Sequence, residues 1–246
     1  MATDKTHPIT YYIDDVIAKV PGWTLFDQLL CLFNLTTASS HLAGDILEIG
    51  SWCNRSTLVM AKALEISQSG RILSIDLFSG REDWKKNQDG SWSFLTSMRA
   101  ANAVPATFSE SASKDAAPLS EQHDPVLDIF ISSLRLFNLE RLVDFHKGSS
   151  ESYEADASPR TFRLALIDGG HNFKDIAGDI AFALRHMPNG GWLCFADAFS
   201  YNDTISQAIE EHVWTSKRVS FSQQLCRKFH CAKVLPQPCQ EQDGRN

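Results

Sequence analysis

Residues 45–56 read Asp45-Ile-Leu-Glu-Ile-Gly-Ser-Trp-Cys-Asn-Arg-Ser56, and the fold class turns on this run. Asp45 to Gly50 is short, apolar and closed by glycine, the pattern of a buried strand entering a sharp turn. Thr57 to Ile66 then takes up helical spacing, with Ser56 placed to cap the helix. Such a strand–turn–helix is a ligand cradle. Gly50 allows close backbone approach, and the start of the helix offers N–H groups with no partner inside the helix. Trp52 and Asn54 occupy the places where a pyrophosphate-binding loop has glycine. The loop therefore favours a ligand with a carboxylate and an ammonium group over a dinucleotide. Glu48 is an acid inside an apolar strand, which requires a partner. A cationic group on a ligand would supply one; so would a solvated capping loop.

Outward from this run the chain alternates. Gly70 to Asp76, Leu142 to His146, Phe162 to Asp168 and Gly191 to Ala196 read as further buried strands. Thr57 to Ile66, Pro125 to Leu139, Asn172 to Met187 and Thr204 to Trp214 read as helices between them. Alternating strands and helices predict a mostly parallel sheet covered by helices on both faces. Two helical patterns, Tyr11 to Val20 and Leu25 to Leu35, form an N-terminal cap within residues 1–40. Lys217 to Gln223 and Lys228 to Val234 are close enough to pair as an antiparallel hairpin at the sheet edge, and residues 236–246 form a polar tail. The whole of 1–246 reads as one domain. Residues 78–124 are too long for an ordinary connection. They carry Trp84, Trp92 and Phe94, and read as an inserted lid over the carboxyl ends of the strands.

Composition narrows the partners. The formal net charge is -7, without the basic footprint of a protein that grips a phosphate backbone, so a small molecule is expected and nucleic acid is not. The six cysteines contain no CxxC pair, and Cys31, Cys53 and Cys194 lie in apolar runs as small hydrophobes. No apolar run is long enough for a membrane span, and residues 1–10 lack a secretory pattern. A cytoplasmic setting follows as the expectation.

Two further constellations carry chemistry. Asp76 ends the second strand some twenty-odd residues after the first turn, where an acid accepts hydrogen bonds from ribose hydroxyls. Leu166-Ile-Asp-Gly-Gly-His171 ends a strand, and places Asp168 and His171 at the mouth of the sheet. A histidine at a helix start has its charged form disfavoured by the dipole, leaving a neutral imidazole able to take a proton. Gly190 to Phe199 is a glycine-led stretch whose strand ends in Asp197. Asp168 and Asp197 thus terminate neighbouring strands, and are the candidate ligands for a hard cation such as Mg²⁺. Ala198 adds no ligand to them.

Together these residues resemble the class I S-adenosylmethionine-dependent methyltransferases, in the branch of catechol and macrocin O-methyltransferase-like enzymes. The resemblance runs from about Asp45 to Trp214. It implies a Rossmann-like fold with a seven-stranded sheet in the order 3-2-1-4-5-7-6, its last strand antiparallel. It implies that Glu48, Gly50, Ser51, Trp52 and Ser56 surround the methionine part of S-adenosyl-L-methionine, that Asp76 holds the ribose, and that Gly148, Ser149 and Ser150 lie beside the adenine. Asp168 matches a metal ligand close to the methyl group, and His171 a catalytic base. The usual Asp-Asn or Asp-Asp pair after the fifth strand is here Asp197-Ala198, which weakens the metal assignment. The expected reaction is O-methylation of a small-molecule hydroxyl. Methyl transfer to nitrogen, or a silent cofactor-binding scaffold, are the alternatives, and the resemblance implies a homodimer through the N-terminal helices.

Overall fold

The computed structural model describes residues 8–78, 84–86, 92–96, 104–107, 125–156, 160–170, 172–199, 203–226 and 229–235. Helices α1 (Ile9–Lys19) and α2 (Phe26–Ala38) come first. They are followed by β1 (Asp45–Ile49), α3 (Arg55–Ser67) and β2 (Ile72–Asp76). Three short strands, β3 (Trp84–Lys86), β4 (Trp92–Thr96) and β5 (Val104–Thr107), pair with one another as a small antiparallel sheet. Of the lid expected over 78–124, Phe78 and those strands are described; its remaining residues lie outside the described ones. Then come α4 (Pro125–Leu136), β6 (Val143–Lys147), α5 (Ser150–Asp156) and β7 (Phe162–Ile167). The chain continues with α6 (Phe173–His186), β8 (Trp192–Phe195), α7 (Asp203–Ala208), β9 (Val219–Cys226) and β10 (Phe229–Val234). Helix α7 runs on as a π-helical turn over Ile209–Trp214.

The main sheet has the order β6-β2-β1-β7-β8-β10-β9. Pairing is parallel from β6 to β8, and β10 runs antiparallel to both β8 and β9. This is the expected order. The direction of winding reverses between β1 and β7, so the carboxyl ends of these two strands open the crevice where such sheets bind ligands.

The pleat sorts the core into two layers, because successive side chains on a strand point to opposite faces. Ile46, Ile72, Leu164, Leu166 and Cys194 pack in one cluster with Leu58, Met60, Phe130 and the α1–α2 residues Val16 and Leu32. Leu47, Ile49, Leu73, Ile75, Ala165, Ile167, Leu193 and Phe195 face the other, with Ile176, Ile180, Ile205 and Ile209 from α6 and α7. Glu48 in β1, Ser74 in β2 and Arg163 in β7 are polar residues buried within these strands. Arg163, within β7, is 1% exposed and donates to the carbonyls of Gly44 and Ser69, each at 2.6 Å.

Helix boundaries differ from expectation where side chains find other partners. Asn54, in the left-handed region at φ +74, is the N-cap of α3, so Ser56 falls inside the first turn. Helix α5 is an added element, closed at its start by reciprocal bonds between Ser149 and Ser152. Cys53 and Cys194 are buried, Cys31 is half-buried, and all three are free thiols. Among the described residues no helix is long and apolar enough to cross a membrane.

Candidate active site

The turn between β1 and α3 is shaped by three residues with positive φ: Gly50 (+88), Trp52 (+44) and Asn54 (+74). Gly50 donates to the Ile75 carbonyl at 2.9 Å, while Asp168 donates to the Ile49 carbonyl at 2.8 Å. The turn is thus laced to both neighbouring strands. A Cβ on Gly50 would lie 2.2 Å from the Asp168 carbonyl oxygen. Only glycine fits there, and the backbone it approaches is that of Asp168 and Gly169.

Trp52 is a bulky residue in a region that costs roughly 1–2 kcal/mol for a side chain with a Cβ. Two contacts hold it. Its ring stacks on Trp23 at 4.4 Å between centroids, and its backbone N–H donates to Asp76 Oδ2 at 2.8 Å. The Asn54 side chain caps nothing in α3; its Nδ2 donates instead to the Phe130 carbonyl at 2.6 Å. The start of α3 is therefore left without a side-chain cap.

Glu48 is fully buried. Its carboxylate accepts from Ser56 Oγ and Thr57 Oγ1, each at 2.5 Å. Burial pushes its pKa up to about 7, against the opposing pull of hydroxyls from Ser56, Thr57 and Ser51, with Asp76 adding repulsion. The partner the strand acid requires is this ring of hydroxyls. Ser51 is also buried and bonds to Ser74. The side chains of Ser51 and Ser56 thus face into the protein, and only their backbone groups remain for a ligand.

Asp76 stands half-buried at the end of β2. Its two oxygens each accept one backbone N–H, Oδ2 from Trp52 and Oδ1 from Phe78 at 2.6 Å. A carboxylate has about four lone-pair sites, so this one is oriented and still has capacity for two hydroxyl donors. The backbone of the β1–α3 turn and the Asp76 carboxylate together fit an amino-acid-bearing nucleoside.

Gly148 donates to the Asp76 carbonyl at 2.9 Å, which brings the β6–α5 turn beside β2. Ser149 closes α5. Ser150 is buried and donates to Asp179 Oδ1 of α6 at 2.6 Å, so its side chain points away from the turn's open face. Asp179 was invisible as a site feature in the sequence. Its carboxylate lies 3.6 Å from the Cβ position of Gly169, and burial pushes its pKa up to about 6 despite the Ser150 bond.

Asp168 and Asp197 are half-buried at the carboxyl ends of β7 and β8, and Asp197 has φ +56. Ala198 is fully buried among apolar side chains. Among the described residues no three His, Cys, Asp or Glu side chains gather as a cation would require. The pair alone supplies fewer oxygen ligands than an octahedral Mg²⁺ takes. His171 lies outside the described residues; Asn172, next to it, caps α6 by accepting from the Asp175 N–H. The open depression lined by Gly44, Ser69, Gly70, Arg160, Thr161 and Arg163 sits at the amino ends of β1 and β7, the edge away from Asp76 and Asp168. There Arg160 joins Asp45 and Asp144 in an ion network.

A doubly wound sheet with an acid-terminated β2 and a glycine turn into α3 defines a Rossmann-like ligand-binding domain. The methyltransferase-domain family matches residues 47–198, and the chain belongs to that family. Comparison with curated protein sequences gives no significant match. Among solved structures, the O-methyltransferase NovP superposes with a TM-score of 0.65 at 12% identity, over 93% of this chain and 100% of NovP. The O-methyltransferase from Bacillus cereus, in complex with SAH, gives 0.57 at 17% identity, over 94% and 93%. TomG from Streptomyces achromogenes, in complex with SAM, gives 0.56 at 17% identity, over 92% and 86%. At these identities the likeness is one of fold.

Proposed function

We propose that this chain is an S-adenosylmethionine-dependent methyltransferase that methylates a hydroxyl of a small-molecule acceptor. The observation that carries the reading is the junction of the β1–α3 turn with Asp76. An uncapped helix start and an oriented carboxylate with spare acceptor capacity stand at adjoining strand ends. Membership in the methyltransferase-domain family and the O-methyltransferase fold neighbours support it. The Bacillus cereus and TomG structures hold SAH and SAM, ligands with the amino acid and nucleoside this junction suits.

When bound, the cofactor supplies an electrophilic methyl group on a sulfonium. The protein's own task is then to align the acceptor with the C–S bond and remove its proton. Asp76 would hold the ribose hydroxyls. The backbone of Gly50, Ser51 and Trp52 would hold the amino-acid part, with Ser56 and Glu48 supporting that turn from below. Gly148, Ser149 and Ser150 would set the β6–α5 turn beside the nucleoside. His171, after the Gly169-Gly170 turn, is the proposed base, with Asp168 orienting it. A positioned base contributes roughly 10²–10⁴-fold to rate. The homodimer implied by the resemblance and the cytoplasmic setting expected from the sequence belong to the same reading.

The test is calorimetric titration of the protein with S-adenosylhomocysteine, alongside Asp76→Ala. Micromolar binding by the parent that weakens to roughly the millimolar range in the variant is the expected result. No binding to the unaltered protein would overturn the reading. His171→Ala, screened for methyl transfer from labelled cofactor to an acceptor panel, is expected to keep binding and lose turnover by at least 10²-fold.

A further inference from the structure

We propose that Trp23, in the N-terminal cap, is a positioning residue for the cofactor site, acting through Trp52 on Asp76. The inference rests on the methyltransferase reading above and extends the site to a segment outside the family match, which begins at residue 47.

Trp52 sits in the loop that must receive the cofactor, and its backbone at φ +44 is one that a bulky side chain rarely adopts. Such a conformation persists only where the surroundings over-determine it. The two constraints on Trp52 lie at opposite ends of the residue. The ring is stacked on Trp23, with planes 26° apart. The backbone N–H is aimed at Asp76 Oδ2. The stack therefore sets the direction of an N–H that orients the carboxylate proposed to bind ribose. Loss of the stack frees Trp52 to relax to negative φ, and the N–H turns away from Asp76.

Trp23 is itself fixed by the way the cap is fastened. Arg55, the first residue of α3, donates from Nε to the Val20 carbonyl at 2.6 Å and from Nη2 to the Ile17 carbonyl at 3.0 Å. It thereby holds the end of α1 against the start of α3. Gly22 gives the room for this, since a Cβ there would lie 2.7 Å from Arg55 Cδ. The segment that carries Trp23 is pinned at one end by the guanidinium and continues at the other into α2, whose Leu25 N–H is held by Gln28. The cap is thus joined to the cofactor loop at two points, a guanidinium on backbone and an indole on an indole.

The experiment measures S-adenosylhomocysteine affinity by calorimetry for the full chain, Trp23→Leu, Trp23→Phe, Asp76→Ala and the double variant Trp23→Leu/Asp76→Ala. Leucine keeps an apolar side chain in the cap and removes the stack; phenylalanine restores an aromatic face. An aromatic pair of this kind corresponds to a roughly threefold to tenfold change in an equilibrium constant. We expect Trp23→Leu to bind about fivefold to tenfold more weakly, and Trp23→Phe to stay within about twofold of the parent. In the Asp76→Ala background, measured at high ligand concentration, Trp23→Leu should cost nothing further. Unchanged affinity in Trp23→Leu would overturn the proposal. So would an equal loss with and without Asp76, since the cap would then act by a route other than the carboxylate. Far-ultraviolet circular dichroism checks that the variants are folded. If Trp23→Leu does not fold, Trp23→Met, which also removes the aromatic face, decides by the same coupling in both Asp76 backgrounds. Absence of binding by the parent would defeat the methyltransferase reading first, a result distinct from binding that ignores Trp23.

Discussion

Glu48 makes the stability of this protein depend on pH with a sign and size that follow from its surroundings. Its carboxyl is fully buried, and its pKa rises from 4.5 to about 7 on folding. A group whose folded pKa is raised binds its proton more tightly in the folded state. Its stabilising contribution is complete below the unfolded pKa and is lost as pH rises through the folded one. The window is therefore pH 4.5 to 7. Between pH 5 and pH 8, these two pKa values give a loss of about 2.5 kcal/mol. Glu48→Gln removes the titration and keeps an amide of nearly the same shape, whose oxygen and nitrogen can exchange hydrogen bonds with the rotatable hydroxyls of Ser56 and Thr57. Urea denaturation of both proteins at pH 5 and pH 8 isolates the effect. Asp179, also raised by burial, titrates in both and cancels in the difference. The parent should lose about 2.5 kcal/mol more than Glu48→Gln over this range, with unchanged slopes in urea. Parallel pH profiles for the two proteins would refute the reasoning and mean that Glu48 is ionised in its hydroxyl ring without cost.

Three other outcomes are expected. Gly50→Ala combines φ +88 with a 2.2 Å approach to the Asp168 carbonyl, and should cost about 3–4 kcal/mol in urea; a loss below about 1 kcal/mol would mean the turn yields easily. Ser150→Ala strips the buried Asp179 of its hydroxyl donor, so it should destabilise by roughly 1–2 kcal/mol at pH 8 and by less at pH 5, where Asp179 is protonated. Methyl transfer should survive EDTA within about twofold, because Ala198 adds no oxygen to Asp168 and Asp197; a loss restored by Mg²⁺ would assign those two acids to a cation.

The architecture was open to a reader of the chain because it rests on local signals. Apolar runs of strand length, separated by helical periodicity and glycine turns, require βαβ units whatever else the molecule does. Gly50, Glu48 and Asp76 could be singled out by position alone, since an acid in an apolar strand and an acid at a strand end are anomalies that need no coordinates to notice. What those residues touch was decided elsewhere in the chain. The hydroxyls on Glu48 come from Ser56 and Thr57, which the linear pattern assigns to a cap and a helix turn. Asn54 stands at the N-cap position with a left-handed backbone, and its amide donates to the Phe130 carbonyl, 76 residues away. Arg163 spoils an apolar strand until the carbonyls of Gly44 and Ser69 appear beside it. Trp23 and Asp179 carry no motif, and gain their places from contacts with residues 29 positions distant. Periodicity along a chain dictates which elements form, because it follows from the geometry of one strand or helix. Partners across the fold depend on how finished elements pack, and only the assembled sheet and its helices select them.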